Sequence, residues 1–217
     1  MKKIADETYG MLRTKYGQYG SWALWHISDL TGPILGTDCG IRPLMKDLAD
    51  PLYRQTHLTG NAVVLGCNGG SQGNRSTKKW SAFHSTSKAD KAYKLARMLM
   101  QTPFEGAYMT NVLKSFSDMA PSRAVHRARQ GAYEGELVTY ANKLQEELDL
   151  IQPQYLILLG KEAYQAFKLL NDRKLLKITN VKLVQLPNYL EIPNVRCFQE
   201  AAQLRQLPLN DLLETNA

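Results

Sequence analysis

The chain has little of what metal and redox sites are made from. Among its 217 residues are three cysteines, Cys39, Cys67 and Cys197, odd in number, far apart and without C-x-x-C spacing. That excludes a disulfide framework and a zinc ribbon. The four histidines, His26, His57, His84 and His126, form no H-E-x-x-H or paired pattern, so metal ligation is not expected. No apolar run reaches the ~20 residues that span a bilayer, and the opening MKKIADETYG has two lysines with no apolar stretch behind them. A cytoplasmic protein with no membrane partner is the expectation. Phosphate signatures are missing too: no register gives GxxxxGK[ST] or GxGxxG.

What is present begins with charge. Twenty-seven Lys and Arg against twenty Asp and Glu leave +7, which favours an anionic partner without choosing between nucleic acid, nucleotides and acidic lipid. The length suits one core, and a single domain over 1–217 is expected, with 1–60 as a helical elaboration and 61–217 as the α/β core. A monomer is the default.

Short apolar runs alternate with longer amphipathic stretches, the pattern of a parallel sheet covered by helices. Strands are predicted at 62–66 (AVVLG), 107–112 (AYMTNV), 155–160 (YLILLG) and 181–186 (VKLVQL). Helices are predicted at 88–100 and 136–150, at KEAYQAFKLL directly after Gly160, and from Asn194 onward with Asn194 as a possible cap. The first sixty residues suggest helices at 4–15 and 43–48, joined by turns such as YGQYGSWALW.

In open α/β sheets ligands bind outside the carboxyl ends of the strands. After the first strand come Gly66, Cys67, Asn68, Gly69 and Gly70, then a loop with Arg75, Lys78, Lys79, Trp80, Phe83 and His84. After the second come Asn111, Lys114 and Ser115, after the third Gly160 and Lys161, and after the fourth Pro187, Asn188, Tyr189 and Leu190. Arg75, Lys78 and Lys79 form one basic cluster, and Arg123, His126, Arg127 and Arg129 form another; each is either a solvated surface or a rim that follows phosphates.

Taken together, LGCNGGSQGN, SAFH, AYMTNVLK, PQYLILLGKEAYQAF and QLPNYLEIP resemble the motifs of the uracil-DNA glycosylase superfamily, in that order. The resemblance implies a three-layer α/β/α fold with a central four-stranded, mainly parallel sheet. It implies hydrolysis of the N-glycosidic bond of uracil or another modified base, in single- or double-stranded DNA, without a cofactor. By motif, Asn68 would position the attacking water. Phe83, with Trp80 as second choice, would stack on the extruded base. Asn111 would read its edge, and Gly66, Cys67, Gly69 and Tyr189 would line the substrate site. Arg75, Lys78, Lys79 and Lys161 would meet phosphates, and Leu190 or Ile192 would wedge the gap in the stack.

The chain departs from the family in two motifs. LGCNGG lacks the proline of GINPG, and Asn188 stands where the last motif carries a histidine facing the departing base. A donor of that kind is commonly worth about 3 to 4 kcal/mol, and a neutral amide donates more weakly than an imidazolium. Slow or atypical excision is therefore implied, or a nucleic-acid-binding relative that has lost the reaction.

Overall fold

Runs with period two become strands, and faces with period 3.6 become helices. A computed structural model describes residues 2–68, 78–114, 120–131 and 134–208. In chain order its elements are α1 (Asp6–Tyr16), β1 (Ser21–Trp22), α2 (Ile41–Asp47), α3 (Pro51–His57), β2 (Thr59–Asn68), α4 (Ala92–Leu99), β3 (Ala107–Leu113), α5 (Pro121–Arg129), α6 (Glu134–Ile151), β4 (Tyr155–Leu159), α7 (Gly160–Asp172), β5 (Lys182–Leu186) and α8 (Asn194–Arg205).

The strands form one sheet in the order β1-β3-β2-β4-β5. All neighbours are parallel except β1, which runs antiparallel to β3. Alternation along β2 sorts the core into two layers. Val63 and Leu65 face a cluster with α1, α5, α6 and α7, while Ala62 and Val64 face a cluster with α4 and α8. The result is a three-layer α/β/α fold. The chain leaves β2 for β3 on one side and returns across β2 to β4 on the other, so the direction of winding reverses between β2 and β4. Loops diverge at such a switch point and leave a crevice at the carboxyl ends of the strands.

Several predicted features are corrected. The sheet has five strands where four were expected, because YGQYGSWALW contributes β1, a two-residue strand too short to show alternation. The segment 1–60 is thus not only helical. It also contains α3, which begins at Pro51 and is capped by Asp50, whose carboxylate accepts from the Leu52 amide. The helix predicted from 88 is broken at Lys91, which adopts a left-handed φ of 47° between a 3-10 turn and α4. Asn194 is not a cap: Pro193 holds that position, and no side chain bonds to the helix start.

β1 is held by aromatic packing. Trp22 lies opposite Tyr108 of β3, with ring centroids 5.2 Å apart, and Tyr9 and Trp80 complete the group at 6.0 Å and 5.7 Å from Trp22. Gly20 is required beside it, since a Cβ there would run into the Tyr108 ring. Edge-on and offset rings add to the burial of large apolar surface. Trp22→Ala is therefore expected to lower stability by about 3–5 kcal/mol, measured as the shift of a urea unfolding midpoint. A change within error would mean that this cluster does not hold the amino-terminal segment on the sheet.

Candidate active site

The site is built from the carboxyl end of β2 outward. Gly66 pairs with Asn111 across the β2–β3 ladder, and alternation turns both side-chain positions to the face that carries Val64 and Met109. A Cβ added at Gly66 would overlap Asn111 Oδ1 and stand 3.2 Å from two carbons of the Phe83 ring. Glycine thus lets a carboxamide and an aromatic ring close directly onto the strand backbone. Asn68 follows two residues later on the same face of the strand, partly exposed.

Phe83 reaches this contact through an unusual backbone. Trp80 and Phe83 have φ of 64° and 66°, values that cost non-glycine residues energy unless the surroundings enforce them. The enforcement is visible on both sides of Phe83. Trp80 is fully buried, its amide donates to the Gly17 carbonyl at 2.6 Å, and its indole N–H donates to the Tyr9 hydroxyl at 3.1 Å. His84 is buried with Nδ1 3.2 Å from the Cys39 carbonyl and Nε2 3.1 Å from that of Trp22. Burial outweighs both carbonyls and holds its pKa down to about 4. The ring is then neutral and donates to one carbonyl only.

The loop after β5 is fastened in a similar way. Lys91 Nζ donates to the Leu190 carbonyl at 2.9 Å and Lys94 Nζ to that of Ile192 at 2.5 Å. Asn188 is engaged locally: its Nδ2 donates to Glu191 Oε1 at 3.0 Å, and its Oδ1 accepts from the Leu190 amide at 3.1 Å. It packs on Gly160, whose φ of 86° begins α7 abruptly and where a Cβ would come 3.0 Å from that of Asn188. Lys161, Glu162, Gln185, Asn188 and Glu191 line an open cleft of about 460 Å³ there.

Of the residues singled out from sequence, Gly66, Phe83 and Asn111 meet directly. Asn188 is at the neighbouring cleft with exposed Lys161, and Leu190 is also exposed. Tyr189 is half-buried, and burial together with the charge of Asp90 pushes its phenol up to about 12. Lys78 and Lys79 are exposed where the first loop returns. Gly69, Arg75 and Ser115 lie outside the described residues.

Two substrate contacts are corrected. Trp80 has no accessible face on which a base could stack. Cys67 points to the opposite side of the sheet from Gly66 and Asn68, its thiol 3.9 Å from the Pro121 carbonyl, and burial followed by the charge of Glu162 pushes it up to about 12. It remains a thiol in the core. The second basic cluster belongs to α5, where Arg123, His126, Arg127 and Arg129 are exposed beside buried Ala124, Val125 and Ala128.

Sequence reasoning passed over Glu162 and Glu191. Their signal was position, immediately after β4 and β5, with Glu191 three residues beyond an asparagine able to turn back on its own loop. Among the described residues no group of three or more His, Cys, Asp or Glu stands close enough to hold a metal, and no helix is long and apolar enough to cross a membrane.

His84 makes the loop pH-dependent. Its pKa in the fold lies below the ordinary 6.5, so the unfolded chain binds the extra proton more readily between the two values. Its share of stability is full above pH 6.5 and is lost as pH falls toward 4, about 3 kcal/mol in all. Comparing urea midpoints of wild type and His84→Gln across that range should show a shallower acid loss in the variant. Parallel curves would contradict the assignment.

A family model described as the uracil DNA glycosylase superfamily matches residues 57–205, more than half the chain. No curated protein matches it.

Proposed function

Since the chain belongs to the uracil-DNA glycosylase superfamily, we propose that it hydrolyses the N-glycosidic bond of uracil or another modified base in DNA. The observation that supports this reading is the meeting of Phe83 and Asn111 at Gly66. A base in a duplex must be extruded, stacked and read along its hydrogen-bonding edge; Phe83 and Asn111 offer a ring and an amide edge on either side of a position where only glycine fits.

In this reading the base stacks on Phe83 and bonds to Asn111 beside Gly66. Asn68 orients the water that attacks the sugar carbon as the glycosidic bond breaks and its electron pair leaves with the base, which takes up the proton that the water sheds. A carboxamide orients water but does not take its proton at neutral pH. Glu162, which lines the cleft with Asn188, supplies the negative charge that Asn68 lacks on the cation side. Asn188 spends one amide proton on Glu191, leaving one for the departing base. Lys78, Lys79 and Lys161, with Arg75, meet the phosphates, and Leu190 fills the vacated stack.

The engagement of Asn188 favours one alternative, a relative that binds nucleic acid through the same site without cleaving it. Labelled single-stranded and duplex oligonucleotides containing uracil, hypoxanthine or a modified cytosine, treated with alkali after incubation, separate the two. The expected result is strand breakage at the test base, reduced about 100-fold or more in Asn68→Ala and abolished in Gly66→Leu, which collides with Asn111 and Phe83. Binding that falls steeply with salt, with no breakage of any substrate, would establish the alternative.

A further inference from the structure

Lys114 follows β3 and turns to the face opposite Asn111, where it is fully buried against Glu147 of α6. Its Nζ lies 2.6 Å from Glu147 Oε2 and donates to Thr110 Oγ1 at 3.0 Å and to the Asn111 carbonyl at 2.8 Å. Glu147 Oε1 accepts from the Tyr108 hydroxyl at 2.7 Å and the Thr110 hydroxyl at 3.1 Å. Two ammonium protons have hydrogen-bond acceptors, the Glu147 carboxylate faces the cation as an ion pair, and the Thr110 hydroxyl accepts from the cation while donating to the carboxylate. The geometry is that of a buried ion pair in which Glu147 Oε2 has the cation opposite it but no directed hydrogen bond.

Stability alone is a poor reason for such a pair. Removing two charges from water is costly, and well-packed apolar residues of similar size are often as stable or more so. Tyr108, Thr110, Asn111 and Lys114 all belong to β3 or its end, so the network ties one strand to α6. Its single backbone acceptor is the carbonyl of Asn111, the residue whose side chain meets Gly66 on the other face.

We propose that Lys114 and Glu147 are positioning residues for base recognition. The ammonium, itself fixed by Glu147, anchors the Asn111 carbonyl and thereby sets the direction in which the carboxamide crosses Gly66. This role rests on the reading of Asn111 and Phe83 as a base site. A 1 Å misplacement of a reading group costs about 100-fold in rate, which gives a buried ion pair at this point a purpose that packing does not.

The test is the double substitution Lys114→Met, Glu147→Gln, which removes the ammonium and keeps an amide oxygen for Tyr108 and Thr110. Cooperative melting with a displaced Asn111 side-chain amide resonance in 15N-labelled protein is the expected result, together with an approximately 100-fold fall in turnover at little-changed KM. An unmoved resonance in a folded variant overturns the proposal. Because that resonance is read without substrate, it decides the positioning role even if the wild type cleaves nothing, an outcome that would instead count against the glycosylase reading. If the variant does not fold, wild-type protein decides: Lys114 ammonium protons that exchange slowly and couple to the Asn111 carbonyl support the anchor, and fast exchange with no coupling refutes it.

Discussion

The pleat of β2 is the constraint on which the site depends. β2 is enclosed between β3 and β4 and is buried up to its last residue, Asn68. Because its side chains alternate, Gly66 and Asn68 can share one face only if Cys67 goes to the other, and the register with β3 then fixes Asn111 beside Gly66. A slip of one residue would exchange every occupant of the site. The apolar run AVVLG therefore does more than form a core: burial of its two faces in two different helical layers makes the register at the carboxyl end unambiguous.

At and beyond the strand ends, several backbone carbonyl groups are satisfied by side chains. Lys114 serves Asn111, Lys91 and Lys94 serve Leu190 and Ile192, His84 faces Cys39 and Trp22, and Arg97 donates to Leu30 and Gly32. Buried carbonyls need partners, and long cationic side chains supply them where no neighbouring strand can. Part of the chain's basic excess is thus spent inside the fold, so net charge alone overstates the cationic surface offered to a polyanion. Loops held in this way can present Phe83 and Asn188 in defined places, which favours recognition by preorganised groups over a site assembled on binding.

The α/β alternation, four of the strands and the later helices were legible because each carries a long enough period. Gly66 and Asn111 were visible as a glycine and an asparagine at strand ends and Phe83 as an aromatic in the basic loop, and the structure brings the three into contact. β1 was not, since two residues cannot show alternation, and its place depends on rings from Tyr9, Trp80 and Tyr108 that are distant in sequence. Trp80 and Phe83 look equivalent in KKWSAFH. Only tertiary packing decides that the first closes the core and the second reaches Gly66. Lys114 was legible as a residue at the end of a strand but Glu147 was not singled out, and their burial against each other becomes evident only when α6 is laid across β3. The substitution of histidine by Asn188 was visible, but not that its amide is already turned toward Glu191.

The central claim is that a base stacks on Phe83 and bonds to Asn111 beside Gly66, and a structure with bound DNA addresses it most directly. We would crystallise the protein with an oligonucleotide carrying 2′-fluoro-arabino-uridine, whose glycosidic bond resists hydrolysis. The account expects the uracil ring out of the stack, beside Gly66, face to Phe83 and edge to Asn111. An extruded base seated elsewhere, or DNA bound with its base still stacked, would contradict it.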